Sequence, residues 1–288
     1  METKELLKKV RKIEIKTKGL SNHIFSGEYH TAFKGRGMSF SEVREYQYGD
    51  DIRAIDWNVT ARFSHPYIKV FEEERELTVM LIIDVSESAY FGTQQQMKNE
   101  MITELCAVLS FSAIQNNDKV GVIFFSDKIE KYIPPKKGRS HILRIIREML
   151  DIKPEHKQTN LAQALQFFNN VIKKKAITFV LSDFMCGDFE NALKLAKKRH
   201  DIVGIHVYDQ REKELPNVGL ARVLDAESGQ TVWLDTSIKE IRHNYNKWYV
   251  ENHQRVITSF IKSGADIFSI ATNESYVKAL MKFFKKRM

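Results

Sequence analysis

The sequence predicts an α/β protein: a doubly wound, mainly parallel sheet with helices on both faces, preceded by a small irregular or β-rich segment. Three observations carry this. From about residue 76, short apolar runs alternate with longer segments of helical periodicity. The runs are apolar along their length, as strands covered on both faces are. Residues 1–75 lack this alternation and hold glycines 27, 35 and 37 among polar residues. The chain therefore divides into an N-terminal segment, 1–75, packing on a main domain, 76–288.

The elements follow in order. Leu77 to Ile83 is the first buried strand. A helix over about 94–115 places Met97, Met101, Leu105, Val108 and Ser112 on one stripe. Val120 to Phe125 is the second strand, closed by Ser126-Asp127, and Ile129 to Ile133 returns from that turn. Helices are expected at about 140–150 and 160–173. Ala176 to Leu181 is a strand ending at Ser182-Asp183. A helix over about 188–199 leads into strand Ile202 to Val207. Ala221–Leu224 and Thr231–Leu234 flank Asp225 to Gly229 as a hairpin-like insertion. A long helix over about 237–262 carries Ile241, Tyr245, Trp248, Val256 and Phe260 on an expected core stripe. Strand Asp266 to Ile270 and a helix over about 274–286 complete the chain.

Composition narrows the class. The 288 residues are 43% hydrophobic and 28% charged, an ordinary globular profile. No apolar run approaches the roughly 20 residues of a membrane span. Met1 to Leu20 is charged throughout and has no apolar core like that of a signal peptide. The two cysteines, Cys106 and Cys186, form no close-spaced pair, which fits a reducing compartment. A cytoplasmic protein is expected. The net charge of +8 is spread over Lys8, Lys9 and Arg11, Lys173 to Lys175, Lys197 to Arg199 and Lys285 to Arg287. Most of these fall at expected helix C-termini, where cations complement the helix dipole. No DNA- or RNA-recognition motif accompanies them, so nucleic acid is not the expected partner.

The informative residues follow the first strand: Asp84-Val85-Ser86-Glu87-Ser88. A polar turn explains this pattern as well as a site does, since Asp and Ser are ordinary turn residues. Read as a site, a carboxylate and two hydroxyls converge, and hard oxygen donors suit Mg²⁺ or Mn²⁺ better than zinc. Two more elements match it. Gln158-Thr159-Asn160-Leu161 opens a helix, with Thr159 or Asn160 as its cap. Ser182-Asp183 follows a later strand. Open α/β sheets bind ligands beyond the C-terminal strand ends, where strand order reverses. If the strands before Asp84 and Asp183 are neighbours there, both carboxylates face one crevice.

Together these elements resemble the von Willebrand factor A fold and its metal-ion-dependent adhesion site. The resemblance implies that Asp84, Ser86, Ser88, Thr159 and Asp183 hold Mg²⁺ or Mn²⁺ directly or through waters. An open position would accept a partner's carboxylate. A glycine commonly precedes the family threonine; here it is Gln158. Upstream, Phe33-Lys34-Gly35-Arg36-Gly37-Met38-Ser39-Phe40, Arg44-Glu45-Tyr46, Gly49-Asp50-Asp51-Ile52-Arg53, Ile55-Asp56-Trp57 and Ala61-Arg62 are similar to one bacterial family. That family was long catalogued only as a domain of unknown function, and its members are commonly encoded beside MoxR-type AAA+ ATPases. The resemblance covers the chain from about residue 25 onward. Within the upstream segment, Arg44, Asp51, Arg53 and Asp56 read as internal ion pairs around a local core at Trp57, or else as a partner surface.

The implied function is a non-enzymatic protein-interaction module. It would grip an acidic side chain and serve as adaptor for a MoxR-type ATPase in protein assembly or maturation. The chain has no Gly-x-x-x-x-Gly-Lys-Ser/Thr loop, so ATP hydrolysis would fall to the partner. The alternative is a Mg²⁺-dependent hydrolase or phosphatase using Asp84 as nucleophile. Such enzymes typically place a second acid two residues on, where this chain has Ser86. Cys186 reads as a loop or core cysteine rather than a nucleophile.

Overall fold

The computed structural model describes residues 10–14, 38–73, 76–93, 96–155, 158–224 and 231–287. The first half of the upstream motif, Phe33 to Gly37, and the tip of the 225–230 insertion lie outside the described residues, as does most of the basic start.

Upstream, β1 (Met38–Glu45) and β2 (Tyr67–Glu73) pair antiparallel. Between them lie a 3-10 turn at Ile52–Ala54 and α1 (Trp57–Phe63). Two acids begin these turns, because a carboxylate satisfies amides that a helix start leaves unpaired. Asp51 accepts from the Arg53 amide at 3.0 Å. Asp56 accepts from Asn58 and Val59 at 3.0 and 3.3 Å and pairs with Lys69 at 3.4 Å. Arg44 forks onto Asp50 rather than onto Asp51 or Asp56, at 2.8 and 2.7 Å. The expected local core at Trp57 is not found: its ring is 69% exposed. Trp57 is the first residue of a seven-residue helix, none of whose described residues is buried.

The main domain is a six-stranded sheet in the order β10-β7-β6-β3-β4-β5. Its strands are β3 (Thr78–Asp84), β4 (Lys119–Phe125), β5 (Ile129–Lys136), β6 (Ile177–Ser182), β7 (Asp201–Tyr208) and β10 (Asp266–Ala271). All neighbours run parallel except β5, which returns antiparallel along β4. The antiparallel β8 (Leu220–Leu224) and β9 (Thr231–Asp235) form the expected insertion.

Helices cover both faces. On one side, α2 (Lys98–Gln115), α3 (Arg139–Asp151) and α8 (Tyr276–Arg287) pack on Val79, Leu81 and Ile83. On the other, α4 (Leu161–Val171), α5 (Glu190–Arg199) and α7 (Lys239–Ser263) pack on Met80 and Ile82. Alternate residues of β3 thus feed opposite cores, as the two-residue strand period requires. From the basic start, Val10 is buried in the first core and Ile13 packs against it. Close packing also explains Gly204 in β7, where an added Cβ would lie 2.6 Å from the Phe260 ring. No described helix is long and apolar enough to cross a membrane.

The α7 stripe needs one correction. Val256 and Phe260 are buried, but Trp248 is 53% exposed and its neighbour Tyr249 turns inward instead. Twenty-five helical residues span about 37 Å. The six residues of β10 reach only about 20 Å. α7 is therefore longer than β10, and in its N-terminal half Tyr249 rather than Trp248 is the buried aromatic.

Candidate functional site

The strand order reverses at β3. The chain passes from β3 to β4 on one side, then returns to β6 on the other. In register, Ile83 lies beside Leu181, so Asp84 and Ser182 end adjacent strands. Asp183 follows at once. This is the crevice expected for a ligand in an open α/β sheet.

Each acid is held by groups that its own strand ends supply. Asp84 accepts from Ser182 Oγ at 2.6 Å and from the Ser86 amide at 3.0 Å. Ser86 and Ser88 bring their hydroxyl oxygens within 3.0 Å of one another. Asp183 accepts from the Met185 amide at 3.1 Å, and the Ser88 hydroxyl also reaches it. Phe184, next along, takes the left-handed φ of 55° and donates its amide to Ser182 Oγ at 2.8 Å. A bulky residue rarely adopts that conformation, and the chain turns sharply here behind Asp183.

The threonine loop joins from α4. Asn160, rather than Thr159, caps that helix, accepting from Gln163 at 3.0 Å, and its amide donates to Ser126 O at the end of β4 at 2.8 Å. The Thr159 hydroxyl is left buried without a hydrogen-bond partner. Cys186 links the loop to the acids: its sulfur receives the Leu161 amide and lies in the field of Asp84 and Asp183. Burial first, then those two carboxylates, pushes this thiol up to about 12. It stays protonated and is no nucleophile at neutral pH.

The remaining partner was not foreseen. Lys98, the first residue of α2, is fully buried. Its Nζ lies 2.7 Å from Asp183 Oδ2 and 2.5 Å from Glu212 Oε1. Glu212 belongs to α6 (Gln210–Lys213), the turn after β7. Burial pulls the Lys98 ammonium down, but Asp183 and Glu212 overcome it and hold it above the ordinary lysine value. Burial alone would raise Asp183; Lys98 outweighs it and keeps that carboxyl low. Among the described residues no cation pairs with Asp84. Burial, then repulsion from Asp183, raises it against its hydrogen bonds from Ser182 and Ser86. Burial also raises Glu212. Nothing in the local sequence marks Lys98 or Glu212, because they meet Asp183 and each other across 85 and 114 residues.

These groups fit a hard divalent cation. Among the described residues no cluster of three or more His, Cys, Asp or Glu has metal-ligand geometry. The donor set here is instead two carboxylates with hydroxyls, the chemistry of magnesium and manganese sites that keep several waters. Asp183 and Glu212 meet at one ammonium, Asp84 lies in the field of Asp183, and the loop that Cys186 ties to Asp84 and Asp183 carries the unengaged Thr159 oxygen.

Comparison with known proteins places the chain. It is 28% identical over 283 residues to the uncharacterized protein Rv1480 of Mycobacterium tuberculosis, covering 96% of this chain and 88% of that one. The crystal structure of BatB from Bacteroides thetaiotaomicron superposes with a TM-score of 0.49 at 16% identity, covering 73% of this chain and 98% of that one. The SpRpn10 VWA domain gives a TM-score of 0.40 at 12% identity, over 72% of this chain and 94% of that one. Residues 42–255 match the family described as "Protein of unknown function DUF58", and a match over most of the chain makes this protein a member of that family.

Proposed function

We propose that this protein is a non-enzymatic protein-interaction module. Asp84, Ser86, Ser88, Thr159 and Asp183 would hold Mg²⁺ (or Mn²⁺), directly or through waters, and an open coordination position would take a carboxylate from a partner. One observation supports this above the others. The Thr159 hydroxyl is buried and unpartnered in the loop that Leu161 and Cys186 tie to the two acids, whose charge one lysine only partly offsets. A buried hydroxyl without a partner costs about 1–3 kcal/mol, which a bound cation or its water would relieve. The resemblance to the MoxR-associated family supports a MoxR-type AAA+ ATPase as the partner and protein assembly or maturation as the role, and the cysteine usage supports the cytoplasm as the setting. The hydrolase reading gains no support: Ser86 Oγ is engaged with Ser88, where a phosphotransferase would carry its second acid.

Mn²⁺ binding, followed by paramagnetic water relaxation, tests the site. One Mn²⁺ is expected on the natural chain and none on Asp84→Ala. Equal binding by both would overturn the assignment. Light scattering of the chain mixed with its ATPase tests the partner, and failure to form a complex under any nucleotide or Mg²⁺ condition would remove it.

A further inference from the structure

Lys98 is an unusual neighbour for a cation site, and it is fixed in place from every side. Its ammonium touches Asp183 and Glu212 and sits 5.9 Å from the centre of the Phe91 ring. Glu212 is itself tied down, since its other carboxylate oxygen accepts the Asp209 amide at 2.9 Å. Asp209 in turn accepts from the Thr93 amide and hydroxyl at 3.0 and 2.7 Å and from the Thr272 hydroxyl at 2.8 Å. The loop before α2, the turn after β7 and the end of β10 are thus knotted around one buried lysine. For such a lysine to swing out to solvent when a cation arrives, all of these contacts would have to break. It acts on that cation through the carboxylate that they would share.

We propose that Lys98 is an internal counter-cation that sets the site's affinity for a divalent ion, with Glu212 as the group that offsets it. This deepens the functional reading above and rests on it. Lys98 engages Asp183 Oδ2, so an incoming ion meets a carboxylate already committed on one side and a fixed positive charge behind it. Glu212 draws the ammonium away from Asp183 and supplies the negative charge that lets a dication be accepted. Lys98 and Glu212 are positioning residues here, and neither needs to touch the ion.

Glu212→Gln removes one negative charge, commits Lys98 wholly to Asp183, and should weaken Mn²⁺ binding about tenfold, the scale of one unit charge at this range in a partly screened interior. Adding Lys98→Met removes the positive charge and frees Asp183 Oδ2. The double variant should regain at least natural affinity, although it has lost a buried ion pair. It strands one buried carboxylate, Asp183, where Lys98→Met by itself strands two, so it is the variant better able to fold. Mn²⁺ titration by water relaxation, with thermal melting to confirm folding, reads all of these. A purely structural pair would not produce loss and rescue of metal affinity. Unchanged affinity in Glu212→Gln, or a double variant that stays as weak, would overturn this inference while leaving the metal site standing if Asp84→Ala still abolishes binding. No Mn²⁺ on either the natural chain or the folded double variant would overturn the metal reading itself. Loss in Glu212→Gln with recovery in the double variant would be the strongest support.

Discussion

Arg44–Asp50 in the upstream segment and Lys98–Asp183 in the crevice are ion pairs of the same length, each 2.7 Å. The first has side chains 37% and 19% exposed; the second, 0% and 3%. Distance therefore says little about what each pair does. The exposed pair closes a turn in a solvated segment, where water and salt screen the attraction and side-chain entropy opposes it. The buried pair lies where two ions lose most of their hydration, so each partner needs the other in order to stay charged. The lesson is that the acids of this chain divide by their surroundings into turn-makers and members of a charged cluster.

The largest expected effect tests the buried side of that contrast. Lys98→Ala strands two carboxylates and opens a void, and should cost about 3–5 kcal/mol in urea unfolding. A loss below about 1 kcal/mol would mean that water reaches the cluster. An intermediate case sharpens the comparison. Arg287 in α8 pairs with Asp201 at the start of β7, with both side chains 11–12% exposed. Burial would raise Asp201, but hydrogen bonds from Arg287 and Lys197 outweigh it and leave the carboxyl lowered. Arg287→Gln should cost about 1–2 kcal/mol at neutral pH. Because the folded pKa of Asp201 lies below the unfolded value near 4, its contribution is present above about pH 4 and lost as pH falls through the folded value. The gap between natural chain and variant should therefore close on acidification; a gap constant with pH would refute the ion-pair explanation. The smallest effect belongs to Arg44→Gln, which should leave the unfolding midpoint of the main domain where it was. A clear shift would mean that the upstream segment braces the sheet through Arg44.

Much of this was legible along the chain, and the reason differs by element. The strand from Thr78 to Asp84 is apolar at consecutive positions because both of its faces are covered, and that pattern survives any detail of packing. Short local interactions were equally visible, such as Asn160 as one of two candidate caps for α4. Trp57 and Trp248 were misplaced for a common reason. An apolar ring reads as core, yet whether a layer lies above it depends on the length and position of other elements.

The sequence by itself determined the order of strands and helices, the two-faced burial of the sheet, and which carboxylates and hydroxyls stand at strand ends. Those properties follow from periodicity and chain direction, which are local. Only the tertiary structure decided that β3 and β6 are neighbours at the reversal of strand order, that Asn160 takes the cap and leaves the Thr159 hydroxyl unpartnered, and that Lys98 and Glu212 enter the acidic cluster. Charges that meet across about a hundred residues are set by how layers stack, and no spacing along the chain encodes that.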